Sequence, residues 1–301
     1  MSAAAVAGDG LRFNLCRVEG TRGSARYEEA VTQLYCSLVD LGHECTVSYG
    51  SAVAGGVNIV IGWLVLAWPD RERLLPGIRD GRFVVHQMEQ LHESRRIYRD
   101  HRAAWADLFS RAAAIWEYAP SGMKFFSASP WADKAHYIPP MFHRALETFA
   151  PAPDPTIDVL FCGTLSERRV GMLRTLIDRG VRLVALQDAY GAARDAEIST
   201  TKIVLNIHAS DADVLETLRV AHLLANRCFV VCETSDHDPF DGGLVYADCD
   251  RLADACLAYL DRPTDRAAIA DKGYAAVRRH DMPANLRAAI AKLPLAELTS
   301  P

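Results

Sequence analysis

The stretch IDVLFCGTLSERR, residues 157–169, decides how this 301-residue chain folds. Its apolar run reads as a buried strand that stops at Gly163, after which Glu167, Arg168 and Arg169 open an amphipathic helix. A strand, a glycine turn and a helix N-terminus with two fixed cations make a cradle for a diphosphate, because free backbone N–H groups and the helix dipole both favour an anion there. Arginine suits such a site: its planar fork donates two parallel bonds to phosphate oxygens and keeps its charge. Paired cations at a helix start oppose the dipole, so their presence itself predicts an anion nearby. The same geometry returns one βα unit later in KIVLNIH, residues 202–208. Lys202 stands at the start of that strand, and Asn206 and His208 fall two apart at its end, on one face.

Strand and helix patterns alternate outward in both directions, which predicts α/β layers around parallel sheets. Before residue 149 the strands fall at 12–18, 44–49, 58–62, 82–87 and 114–116, with a glycine turn at 20–23 and helices at 24–41 and 94–111. Residues 149–155 hold three prolines and read as a linker. A second series follows, with strands at 157–161, 181–186, 202–207 and 228–232 and helices at 169–179, 214–226, 251–260, 264–279 and 284–293. The expected organisation is two Rossmann-like domains, 11–150 and 151–301, facing each other across a cleft, with the last helix packing back on the first domain. In open parallel sheets ligands bind beyond the carboxyl ends of the strands, and the polar residues that stand out fall there.

Half of the residues are hydrophobic, enough for two cores, and the net charge of −5 argues against a general nucleic-acid or membrane-surface binder. Eight cysteines lie mostly inside apolar patterns, which suits buried thiols in a reducing cytoplasm. Cys228 and Cys232, with His237 nearby, have a metal-like look. On a strand, however, a four-residue step separates the side chains by about 13 Å, too far for one zinc ion, so no metal site is expected. The start MSAAAVAGDG has no signal-peptide pattern and reads as a disordered tail. The longest apolar run, 57–68, is too short to span a bilayer.

The segments LFCGTLSERR, YGAARDAEISTTKIVLNIH and LETLRVAHLLANRCFVVCE resemble the carboxyl-terminal half of GT-B-fold glycosyltransferases of the group 1 and spore-maturation kind. VNIVIGWLVL, VVHQMEQL, IWEYAPSG and HYIPPMF resemble the amino-terminal half of the same enzymes. The resemblance runs from about Phe13 to Arg279. It implies a nucleotide-diphosphate sugar held by the second domain, an acceptor held by the first, and no bound metal or other cofactor, since protein cations take the charge of the leaving diphosphate. The sequence departs from the family pattern at His222, where many relatives carry a ribose-holding Glu. The Glu-x7-Glu motif of many retaining members is also absent.

On this reading Gly163, Arg168, Arg169, Lys202, Asn206, His208, Gly242 and Gly243 are candidates for the donor diphosphate and sugar, with His222 as a ribose contact. Arg219 points to the diphosphate and Glu216 to the sugar. Glu89, carried out of an apolar strand, is the candidate general base of an inverting reaction, ahead of His86 and His92. Gln90, Trp116 and Tyr118 are candidates for acceptor lining, with Glu117 between the two aromatics. Each has a structural alternative: a solvated helix start for the arginines, a surface ion pair for Glu216 and Arg219, a strand cap for His208, a packed core ring for His222 and Trp116, a plain turn for the glycines, and a structural hydrogen bond for Glu89. Two other functions share the architecture: a nucleotide-sugar epimerase, which needs no acceptor, and a two-lobed binder without catalysis. No G-x-G-x-x-G follows a strand, which counts against a dinucleotide oxidoreductase.

Overall fold

The computed structural model describes residues 10–18, 24–62, 81–91, 100, 102–208 and 214–299. Two sheets organise them, and every strand pair in both is parallel. The first contains β1 (Arg12–Arg17), β2 (Glu44–Tyr49), β3 (Val57–Ile61), β4 (Phe83–Gln87), β5 (Ala114–Glu117) and β6 (Ala135–Tyr137), in the order β2-β1-β3-β4-β5-β6. The second contains β7 (Ile157–Cys162), β8 (Leu183–Leu186), β9 (Thr201–Asn206), β10 (Val230–Glu233) and β11 (Val245–Ala247), in the order β8-β7-β9-β10-β11. The two orders agree over five strands. In each, the chain turns from one flank to the other between the first and third strands, and a crevice opens beyond their carboxyl ends.

The helices are α1 (Glu28–Asp40), α2 (Arg102–Arg111), α3 (Pro120–Ser127), α4 (Glu167–Asp178), α5 (Gly191–Ser199), α6 (Thr217–Ala225), α7 (Leu252–Leu260), α8 (Pro263–Arg278), α9 (Met282–Ile290) and α10 (Leu295–Leu298). The central strands VNIVI and FVVHQ are buried at every position, as sheets covered on both faces require. The edge strand β2 has no buried position, and four of its six residues are exposed. In α1, Val31, Leu34 and Leu38 recur at helical spacing and fill the first core. Ser166 caps α4 by accepting the Arg169 N–H, so that helix begins two residues before the sequence pattern indicated.

The polypeptide crosses between the sheets twice, side by side. Phe142 N donates to His280 O and Met282 N to Phe142 O, each at 2.9 Å. Asn226 fastens the linker: its Oδ1 accepts from Thr148 N and Phe149 N at 2.8 and 2.9 Å, and its Nδ2 donates to Leu146 O at 2.7 Å. After the second crossing, Met282, Leu286, Ala289 and Ile290 of α9 join the core of the first sheet.

Three helices escaped the sequence reading: α10, whose four residues are too few to show a period, and α5 and α3. The buried positions of α5 include Arg194 and Asp195, so no apolar period marks it. In α3 the stretch is short and begins at Pro120, which fits a first helical turn but also reads as a breaker. Of the expected helix 94–111, residues 102–111 are helical, and 94–99 and 101 lie outside the described residues, as do residues 1–9 of the amino-terminal tail, the glycine turn at 20–23, residues 63–68 of the apolar run, and His92. No helix among the described residues is long and apolar enough to cross a membrane.

Candidate functional site

Gly163 ends β7 at the crevice between β7 and β9. Its φ of 153° lies where side chains are strained, and a Cβ there would stand 3.2 Å from the Phe161 ring. The same Cβ would stand 3.5 Å from both Arg169 Nη1 and Arg219 Nη2, so two guanidinium groups from different helices converge on the bare glycine. Arg169 comes from the first turn of α4 and Arg219 from the first turn of α6.

A dense polar network holds these cations. The Arg169 Nε and Nη2 donate to Ile207 O, at 3.1 and 2.6 Å, and Nη1 donates to Thr164 O at 3.0 Å. Arg219 Nη1 donates to Asn206 Oδ1 at 3.0 Å, and Asn206 Nδ2 donates to Glu216 Oε2 at 2.9 Å. Burial pushes the Glu216 carboxyl up, but the His208 hydrogen bond and the Arg219 charge outweigh it and bring the group down to about 2. Arg168 makes a two-pronged pair with the buried Glu233 and donates to His208 O at 3.4 Å. The anion that paired arginines at a helix start predicted is thus supplied in part by the chain itself.

The cleft wall on the second-sheet side is formed by Gly163, Arg169, Glu216 and Arg219, with Asp188, Tyr190 and Arg194 after β8. The opposite wall is formed by Arg26, Tyr27, Met88, Glu89, Gln90 and Tyr118 from the first sheet. The enclosed volume is about 280 Å³, close to the lower bound for small-molecule sites. Tyr27 Oη donates to Glu89 Oε1 at 2.5 Å, and Gln87 Nε2 holds the Glu89 carbonyl at 2.5 Å. Gln90 Nε2 reaches across to Val214 O at 3.5 Å. At one end, Arg194 bridges the halves: Nη2 lies 2.6 Å from Glu29 Oε1 and 2.7 Å from Asp195 Oδ1. His222 lines this end, with Nε2 3.1 Å from Asp195 Oδ1.

The structure therefore gathers Glu89, Gln90, Tyr118, Gly163, Arg169, Glu216, Arg219 and His222 around one cleft. Asn206 and His208 stand behind its wall, bonded to its members, and Arg168 stands behind them, bonded to Glu233 and the His208 carbonyl. Four candidates lie elsewhere. Lys202 sits at the amino end of β9, where its Nζ donates to Asp158 Oδ1 at 2.7 Å, because the strand carries its second residue to the far edge of the sheet from its last. Trp116 is fully buried in the first core, with Ala114 of its own strand in the same cluster and the His86 ring edge-on at 6.4 Å. Gly243 packs on α8: a Cβ on it would stand 2.3 Å from Gly273 Cα, so close helix approach explains its lack of a side chain. Gly242 takes φ 70° in the same turn, its N–H donating to Asp238 Oδ2 at 2.9 Å. Among the described residues no cluster of three or more His, Cys, Asp or Glu could hold a metal ion, and no disulfide joins any of the eight cysteines.

Arg26, Tyr27, Asp188, Tyr190 and Arg194 were not singled out by sequence. The signal existed: they follow the carboxyl ends of β1 and β8, the positions that drew attention to Gly163 and His208.

Residues 181–291 match the family model described as glycosyl transferase-like. An uncharacterized protein of Acanthamoeba polyphaga mimivirus is 34% identical over 110 residues, which cover 34% of this chain and 36% of that protein, about a third of its length. The structure of HepE from Anabaena in complex with UDP-glucose superposes with a TM-score of 0.61 at 12% identity, over 93% of this chain and 98% of that one. A glycosyltransferase involved in avilamycin A biosynthesis gives a TM-score of 0.51 at 14% identity, over 93% and 99% of the two chains. At such identities the structural likeness concerns the fold, and the two kinds of comparison meet in one statement: this chain has the GT-B glycosyltransferase fold along its length and carries glycosyl transferase-like family sequence in residues 181–291.

Proposed function

We propose that the protein is a metal-independent glycosyltransferase that moves a sugar from a nucleotide-diphosphate sugar to a small-molecule or glycan acceptor. The observation that carries this reading is the convergence of Arg169 and Arg219 on the bare backbone of Gly163 at the topological switch of the second sheet. Cations fixed in advance by Asn206, Glu216 and backbone carbonyls stabilise charge building on a departing diphosphate without reorganising, which is the largest single contribution in many enzymes. HepE, of the same fold, was solved with UDP-glucose. Glu89 stands on the opposite wall with Tyr27, placed to take a proton from an acceptor hydroxyl. Gln90 and Tyr118 line the acceptor side, and a cytoplasmic location fits cysteines that form no disulfide among the described residues.

The test is a thermal-shift titration in EDTA with UDP, GDP, dTDP, ADP and CMP. A ligand at a hundred times its Kd stabilises the native state by about 2.7 kcal/mol. One nucleoside diphosphate is expected to raise Tm in EDTA, with the shift abolished in Arg219→Ala. Flat curves with all five would overturn the donor assignment.

A further inference from the structure

We propose that His208 is a positioning residue, a buried imidazolium that holds Glu216 as a carboxylate and turns its second oxygen toward the cleft. The inference rests on reading that cleft as the donor site. His208 is 1% exposed and does not line the cleft, so it does not act by touching a ligand. Its Nδ1 lies 3.0 Å from Glu216 Oε2 and its Nε2 lies 3.1 Å from Thr234 O. A carboxylate and a carbonyl oxygen only accept, so both ring nitrogens must carry hydrogen, and a neutral imidazole carries one. Ser235 Oγ also lies 3.1 Å from Nε2 and 3.4 Å from Glu233 O. It accepts from the ring and donates to the carbonyl, which leaves the ring doubly protonated. A neutral ring would set the Nε2 lone pair against the Thr234 carbonyl.

The charges around the ring agree. Glu216 faces it from the start of α6, and Glu233, at the end of β10, accepts the His208 N–H through Oε2 at 2.9 Å. Arg168 and Arg169 approach from α4 but place their donors on the His208 carbonyl, at 3.4 and 3.2 Å, and Arg219 is held off by Asn206. Burial lowers the imidazole, and the Glu216 bond and charge more than reverse it, so the ring titrates above its ordinary range.

The consequence falls on Glu216. Its Oε2 accepts from both Asn206 and His208, while Oε1 is buried without a hydrogen-bond partner among the described residues, 3.6 Å from Arg169 Nη2. Glu216 itself lines the cleft, so this unsatisfied acceptor beside the convergent arginines is where a hydroxyl of the bound donor would find a partner. Its aim depends on the two bonds behind it, because a group loose by an ångström forfeits much of its effect.

The test is ring-nitrogen NMR on the 15N-histidine-labelled full chain, with His208 identified by the resonance that Glu216→Gln moves and His208→Gln removes. Both nitrogens are expected to be protonated at pH 7, with the midpoint falling by a pH unit or more in Glu216→Gln. A neutral ring at pH 7 in the wild type overturns the proposal, whether or not either variant folds. The second readout is donor turnover against pH. The wild type is expected to lose rate as pH rises through the His208 midpoint, and His208→Gln to run at least tenfold slower with that alkaline limb gone. A limb that persists in His208→Gln also overturns it. These outcomes are separable from failure of the donor reading, in which no nucleoside diphosphate binds while the ring remains doubly protonated.

Discussion

The carboxyl ends of the two sheets treat their polar residues in opposite ways, although the strand orders match. Beyond β7 and β9, charges are kept and paired: Glu216 and Glu233 are matched to Arg168, Arg169 and His208. At the ends of β4 and β5, His86 lies opposite Trp116 and Gln87 opposite Glu117. Both His86 nitrogens, Gln87 Oε1, Trp116 Nε1 and Glu117 Oε2 lack hydrogen-bond partners among the described residues. Burial drives the His86 imidazole down to about 4 and the Glu117 carboxyl up to about 8, so both are neutral at pH 7. One sheet end is built to hold fixed charge where a diphosphate would leave. The other is a neutral floor from which Glu89 and Tyr118 reach the cleft.

The sharpest way to break this division of labour is Glu89→Gln. If the first-sheet wall supplies the base, turnover should fall about 10²- to 10⁴-fold, with nucleoside-diphosphate binding unchanged. Steady-state rates and the thermal shift, measured on the same preparation, decide it. A rate within threefold of the wild type would leave the charged wall as the sole catalytic side. A loss of nucleotide binding would show that the two walls are not independent.

Glu117→Gln tests the neutral floor. Gln keeps the Oε1 that accepts the Ala119 N–H at 2.9 Å and resembles the protonated acid. A carboxyl whose folded pKa is raised takes no part in the ionisation that favours the unfolded chain. Stability therefore declines as pH rises from the unfolded value near 4.5 toward the folded value near 8. The variant lacks that decline. It should match the wild type at pH 4.5 and exceed it by about 3 kcal/mol at pH 7, measured by denaturant unfolding at both values. Equal stabilities at pH 7 would mean that the carboxyl is ionised and solvated.

The sequence made the strands legible because a doubly covered parallel sheet needs long apolar runs, and VNIVI, FVVHQ and IDVLFC supply them. It also made Gly163, Arg169, Glu216 and Arg219 legible, because the ends of such runs are where a polar residue has to be explained. Direction of approach was not legible. Trp116 lies within β5 and is covered by the first core, whereas Tyr118 stands just past the strand end, where the chain has left the sheet, and lines the cleft. Pairing was equally hidden: nothing local to Glu233 announces Arg168, which arrives from 65 residues away. The buried face of α5 is polar, so the element that brings Arg194 to the cleft left no apolar trace.

Lys202 offers the smallest effect and a control for the whole comparison. It was expected beside the diphosphate because it precedes Asn206 and His208 on one strand. Four residues of strand instead separate it from Asn206, about 13 Å along the sheet, and it stands at the far edge with Asp158. Asp158 also accepts from Arg182 Nε and Nη2, at 3.0 Å each. The Arg182 bonds, with Lys202 adding to them against burial, hold that carboxyl well below the usual range. Its contribution to stability is present above the unfolded value near 3.8 and is lost as pH falls below it. With Arg182 in place, Lys202→Met should cost at most about 1 kcal/mol at pH 7 and change turnover by less than twofold. A larger fall in turnover with stability intact would mean that charge at the amino edge of β9 is felt at its carboxyl end. That would make the cation requirement a property of the whole sheet rather than of the two arginines flanking Gly163.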